Sequence, residues 1–110
     1  MITYGPYGRP WPVEDLKKCV GPGWGGIVEH LVSDLFAEGW NGSVHQVKEK
    51  FGGLRFYTGE TSVRMDELIR EAEMESFATC EQCGVKEGVT SDPIHGWILT
   101  LCGTCREGKR

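Results

Sequence analysis

No run in this chain approaches the roughly 18 consecutive apolar residues that a membrane-spanning helix needs. The opening stretch, Met1 to Trp11, is built of Pro, Gly and Tyr rather than of a charged segment followed by an apolar one. Neither a spanning helix nor a secretory leader is expected, and the chain reads as a cytoplasmic protein without membrane contact. An excess of positive charge is also missing. Twelve Lys and Arg stand against sixteen Asp and Glu, a formal charge of -4, which excludes general attraction to a polyanion and leaves only a local basic patch for that purpose. Histidine is scarce, with His30, His45 and His95 alone. There is no Gly-rich phosphate-cradling loop and no His-Glu metallohydrolase motif, so no catalytic constellation can be assembled and an enzyme is not expected. With 110 residues, 39% of them hydrophobic, the length suits one compact domain near the lower limit for a self-sufficient core, not two lobes with a cleft between them.

Cysteine, by contrast, is concentrated and patterned. Four of the five form Cys80-x-x-Cys83 and Cys102-x-x-Cys105, separated by eighteen residues. Two residues between ligands allow a tight turn that aims both sulfurs at one ion, and this separation suits two knuckles closing on a tetrahedral zinc. Gly84 follows the first pair, where a positive φ is expected, and Gly103, inside the second pair, is expected to serve a similar need. Disulfides are disfavoured in a reducing compartment. A thioredoxin-like pair needs a long helix after its motif, and only five residues follow Cys105. Four thiolates close the coordination sphere, which leaves His95 outside it and no open position for activating water. The expected role of the zinc is structural. Its binding takes the formal charge from -4 to about -6, softened by Arg106, Lys109 and Arg110.

Along the chain, residues 1–23 hold four of the five prolines and read as an extended Pro/Gly/Tyr-rich arm with a short helical turn near Glu14 to Cys19. Tyr4, Tyr7 and Trp11 either dock this arm on the body or anchor a partner. Lys17 and Lys18 beside Cys19 would lower a thiol pKa by their charge. Residues 24–79 read as a helix-hairpin-helix body. Trp24, Ile27, Val28, Leu31 and Leu35 give the stripe of a helix over 24–38. A hairpin follows, Val44 to Phe51 and Leu54 to Thr58 around a Gly52-Gly53 turn. That register places Phe51 opposite Leu54 and Lys50 opposite Arg55. Val47, Phe51, Leu54 and Phe56 then face inward with Glu49, while Lys48, Lys50, Arg55 and Tyr57 face outward.

The outward set is the candidate partner-binding patch. Its charge either pairs with the acidic segment downstream, stands in solvent, or meets an acidic protein or a phosphate backbone. From Glu60 to Glu81 seven carboxylates oppose only Arg64 and Arg70, and this segment reads as a second helix over 62–78. Thr61 or Ser62 caps it, Met65, Leu68, Ile69, Ala72 and Ser76 line its inner stripe, and Asp66 and Arg70 are spaced to pair. Phe77 is placed to wedge that helix against the metal module. Residues 80–105 form the module, with Val85 to Thr90 and Trp97 to Leu101 as a short hairpin and Trp97, Leu99 and Leu101 on one face. The fold class expected is α+β: two principal helices flanking a β-hairpin, then a small four-cysteine, zinc-ribbon-like hairpin.

The Cys-x-x-Cys-Gly knuckle, intervening hairpin and second Cys-x-x-Cys resemble a zinc ribbon, or a treble clef shortened after its second knuckle. The stretch Val47-Lys48-Glu49-Lys50-Phe51-Gly52-Gly53-Leu54-Arg55-Phe56-Tyr57, followed by a helix and the first knuckle, also resembles small uncharacterised proteins of bacteria and their phages. The resemblance implies a zinc-stabilised protein of microbial type and assigns no role to individual residues. The reading that follows is a protein-binding or regulatory protein, with nucleic-acid binding through the basic hairpin face as the alternative.

Overall fold

Hydrophobic periodicity, turn glycines and caps place the elements, described in a computed structural model over residues 1–109; Arg110, assigned above a share in softening the metal charge, lies outside the described residues. In order they are β1 (Ile2–Tyr4), β2 (Pro10–Pro12), α1 (Val13–Lys17), α2 (Gly25–Ala37), β3 (Val44–Lys50), β4 (Gly53–Thr58), α3 (Val63–Ser76), β5 (Thr90–Ile94), β6 (Trp97–Leu101) and α4 (Gly103–Lys109). The strands make three antiparallel two-stranded sheets. The layout is α+β as expected, and richer than two helices and two hairpins: four helices are interleaved with three hairpins among the described residues.

The first difference lies at the start. Residues 1–23 are not an extended arm. Ile2 pairs with Pro12 and Tyr4 with Pro10, and the buried Thr3 hydroxyl donates to the Trp11 carbonyl at 2.6 Å. Two prolines suit β2 because a two-stranded ribbon leaves one strand edge without a ladder to complete. Val13 and Leu16 of α1 are buried in the main core, so the segment docks on the body. Tyr7, at the ribbon's tip, is fully exposed, and Tyr4 is partly so.

The main core is built as its apolar stripe dictates. Ile27, Val28, Leu31, Val32 and Leu35 of α2 meet Trp24, Trp40, Val44, Val47, Leu54, Phe56, Met65 and Ala72. Burying each large side chain contributes roughly 1.5–3 kcal/mol. Helix α3 starts at Ser62, whose hydroxyl accepts from the Met65 N–H at 3.2 Å. It runs beside the outer edge of β4. There the Ser76 hydroxyl accepts from the Leu54 N–H at 2.9 Å and the Glu73 carboxylate from the Phe56 N–H at 3.1 Å. Two side chains thus satisfy donors that a bare strand edge would leave open. The expected Asp66–Arg70 pair is not made. Asp66 instead accepts from the Thr61 hydroxyl, and Arg64 pairs with Glu67 at 3.1 Å and Glu71 at 3.6 Å.

The hairpin register also differs from expectation. Val47 faces Phe56, Lys48 faces Arg55, Glu49 faces Leu54 and Lys50 faces Gly53, with a bulge between Val44 and Gln46. The turn is Phe51-Gly52, at φ 53° and 83°; two positive values are what a two-residue turn matching the strand twist requires. Gly53 is withheld from the turn because the Phe77 ring lies on it, 2.3 Å from where a Cβ would stand. Phe51 consequently leaves the core face and is 67% exposed. Glu49 keeps its inward side, its carboxylate accepting from the Gly52 N–H at 2.8 Å.

Candidate metal centre

The C-terminal module begins where α3 ends. Its first knuckle is closed by backbone: the Gly84 N–H donates to the Cys80 carbonyl at 2.9 Å, and the Cys80 N–H to the Val85 carbonyl at 2.8 Å. Gly84 has the expected positive φ, 85°. Gly103 does not share that role; it opens α4, so the last two cysteines sit at the head of a helix. The Arg106 N–H donates to the Cys102 carbonyl at 2.9 Å, and the Cys105 N–H points to the Cys102 sulfur at 3.5 Å. Knuckle, hairpin and short helix follow one another in that order.

The hairpin between the knuckles starts later than the sequence suggests. Thr90 pairs with Leu101 and Ile94 with Trp97, so β5 covers Thr90 to Ile94 rather than Val85 to Thr90. The turn is His95-Gly96, again with both φ values positive. His95 lies in that turn, outside the cysteine cluster. Leu101 is buried and Leu99 packs beside it, while Trp97, at the end of the same alternation, is 72% exposed.

All four sulfurs, of Cys80, Cys83, Cys102 and Cys105, lie within 4.8 Å of one another. The Cys83 and Cys102 sulfurs are 3.8 Å apart, and none of the cysteines is in a disulfide. Zinc-thiolate bonds of about 2.3 Å in a tetrahedron put sulfurs about 3.8 Å apart. The donor set and spacing therefore fit a closed structural zinc site. Such an ion would organise the two knuckles and supply no open position for chemistry. Burial raises the Cys80 thiol, but N–H donors from Cys102, Cys83 and Gln82 outweigh it and bring the pKa down to about 6. Hydrogen bonding with the Cys102 sulfur, then burial, pushes Cys105 up to about 12. Without metal the cluster holds its first negative charge readily and resists the last; a divalent cation removes that conflict.

Little hydrocarbon supports this module. Its buried cluster is Leu101 with Cys80 and Cys102, separate from the main core. Polar fasteners do the rest. The Arg106 guanidinium, nearly fully buried, donates to the carbonyls of Thr90 at 2.5 Å, Leu99 at 3.1 Å and Asp92 at 3.4 Å. It braces the hairpin from α4. The Thr100 hydroxyl donates to the Gly52 carbonyl at 2.5 Å, joining the two hairpins. Glu81 accepts from the Thr100 N–H at 3.3 Å; burial raises its carboxyl, opposed by that bond. On the other side the segment Gly21-Pro22-Gly23 lies on the knuckle. Gly23 donates to the Glu81 carbonyl at 2.8 Å, and a Cβ on Gly23 would stand 2.0 Å from the Cys80 carbonyl oxygen. The Trp24 indole N–H donates to the Thr79 carbonyl at 2.9 Å. None of these fasteners has a sequence signature.

Cys19 stands apart from the cluster and is exposed. Its thiol is raised, by burial and then by the charge of Asp15, and not lowered by the lysines beside it. The reason is that Lys17 turns to Glu14 at 3.3 Å and Glu29 at 3.4 Å, and Lys18 to Asp15 at 3.4 Å.

Lys48, Lys50, Arg55 and Tyr57 share the outer side of the β3–β4 hairpin through their pairing. The Lys48 ammonium lies 5.7 Å from the centre of the Tyr57 ring. Pairing of these cations with the acidic helix is not found: none of the three makes an ion pair among the described residues, whereas α3 directs Glu67 and Glu71 to Arg64, and Glu75 to Lys86. Among the described residues no helix is long and apolar enough to cross a membrane. Comparison of the chain with protein families, with curated proteins and with solved structures finds no match.

Proposed function

We infer that this is a non-enzymatic binding protein, stapled by a structural zinc, that presents the outer face of the β3–β4 hairpin to a protein partner. The observation that carries the reading is uncompensated charge. A chain of net charge -4 holds Lys48, Lys50 and Arg55 on one face of one hairpin, and none of them pairs with a carboxylate among the described residues. Like charges opposite one another in a hairpin are destabilising, as Lys48 and Arg55 are here. A partner's carboxylates would relieve that repulsion. The sequence resemblance to small bacterial and phage proteins suggests a microbial regulator working in the reducing cytoplasm, where the four thiols stay available to metal.

The test is affinity capture from a bacterial host, identification of the captured protein and reconstitution with purified components. Binding is expected to vanish when Lys50 and Arg55 are both changed to Glu; unchanged affinity removes this face from the function. A nucleic-acid partner is the competing reading, favoured by Tyr57 beside Lys48 as a stacking surface. It is distinguished by salt titration against oligonucleotides, where log affinity must fall linearly with log salt concentration.

A further inference from the structure

The two hairpin turns come together and make a groove that the charged face alone does not account for. Glu49, Lys50 and Phe51 of the first hairpin and Gly96, Trp97 and Ile98 of the second line a cleft of about 310 Å³. Gly52 presses against the second hairpin, a Cβ there standing 3.0 Å from the Ile98 side chain. Phe51 and Trp97 are 67% and 72% exposed, and the Lys50 ammonium lies 5.7 Å from the centre of the Phe51 ring.

Phe51 is the informative residue. It occupies the first turn position at φ 53°, where Asn, Asp or Gly adopts the left-handed conformation with least strain. A bulky aromatic held there with 67% of its surface exposed buries little in the fold. Strain of this kind, kept for a small structural return, points to function. The cleft is at the small end of ligand pockets, roughly 300–1,000 Å³, which suits one large side chain rather than a cofactor.

Resting on the reading of the outer hairpin face as a protein-binding surface, we propose that the groove between Phe51 and Trp97 receives a bulky apolar side chain from an extended acidic peptide, whose flanking carboxylates meet Lys50, Lys48 and Arg55. Charge complementarity chooses this occupant over a nucleic-acid strand. Glu49 lines the groove and the chain is acidic overall, so a strand bearing a charge at every unit meets repulsion there. A peptide carries its charges only where cations wait. Three phosphate contacts on a single strand also give a salt slope of only about -2, weak binding by that route.

The test uses the zinc-loaded full chain, panned against a phage-displayed random peptide library, with selected peptides synthesised and titrated by fluorescence anisotropy. Enriched peptides are expected to be acidic around one aromatic or large aliphatic residue, and its replacement by alanine is expected to weaken binding at least tenfold. Phe51→Asn is the decisive variant. An Asn-Gly turn is less strained, so this protein is expected to melt at or above the wild-type temperature while binding at least tenfold more weakly; Trp97→Ser is expected to weaken binding similarly. Full affinity in both variants, with affinity lost in the Lys50→Glu, Arg55→Glu protein, overturns the groove and leaves the charged-face reading standing. No enrichment of acidic peptides, or binding of a labelled oligothymidine in preference to every selected peptide, overturns both.

Discussion

Replacing Gly23 by alanine tests the claim that the metal knuckle is bolted to the body through backbone. The new methyl carbon would stand 2.0 Å from the Cys80 carbonyl oxygen and 2.6 Å from the Gly84 nitrogen. Both neighbours are main chain inside a knuckle closed by its own hydrogen bonds, so no flexible side chain can swing away. Overpacking of this kind costs about 1–3 kcal/mol, and displacing the knuckle also strains the Gly23-to-Glu81 hydrogen bond, worth about 1 kcal/mol. Lower entropy of the unfolded chain returns about 0.4–1 kcal/mol. A net loss of roughly 1–3.5 kcal/mol lowers the melting temperature by roughly 4–15 °C in a domain of this size. Gly26→Ala is the control. A Cβ at Gly26 has nothing within 4 Å, and alanine is the better helix former by up to about 1 kcal/mol, so this variant should melt a few degrees above wild type. Calorimetry of the zinc-loaded proteins reads both. A Gly23→Ala protein melting within about 2 °C of wild type, or the two variants shifting alike, refutes the docking argument.

Metal removal should act locally. Apparent zinc affinity of about 10–16 kcal/mol far exceeds what Leu101, the one buried aliphatic of the module, contributes at roughly 2 kcal/mol. A strong chelator is expected to release one zinc per chain and to abolish amide-exchange protection in β5, β6 and α4, while amides of α2 stay protected by the separate main core; Cys83→Ser should reproduce this without chelator. Ser76→Ala leaves the Leu54 N–H without its partner and should cost about 1–3 kcal/mol, seen as a lower denaturant midpoint with an unchanged slope. Cys19 is the cysteine outside the cluster, so iodoacetamide is expected to modify one thiol in the zinc-loaded protein and five after chelation and unfolding. Because its pKa is raised, the Cys19 rate should lag that of free cysteine near neutral pH and keep climbing after free cysteine levels off. A rate faster than free cysteine at neutral pH would contradict the arrangement of Lys17 and Lys18.

Much of the architecture was legible because it follows from local rules. The stripe from Ile27 to Leu35 requires a helix with one buried side, Thr61 and Ser62 ahead of an apolar stripe mark a helix start, and paired Cys-x-x-Cys spacings bring four sulfurs to one point. The first strand pair was hidden because Pro10 and Pro12 read as breakers, and proline is tolerated in a two-stranded ribbon. The hairpin register was misread because Gly52 and Gly53 are equally able to turn. What separates them is Phe77, distant in sequence, whose ring occupies the space above Gly53.

Chain order and residue type thus sufficed for the two long helices, the existence of the β3–β4 hairpin, the shared side of Lys48, Lys50, Arg55 and Tyr57, and the gathering of four cysteine sulfurs, since each depends on periodicity or spacing along the chain. Tertiary structure alone decided the turn that exposes Phe51, the burial of Arg106 under the hairpin carbonyls, and the seat of Gly23 on the knuckle. Those depend on which surfaces meet, and steric exclusion between distant segments leaves no periodic trace along the chain.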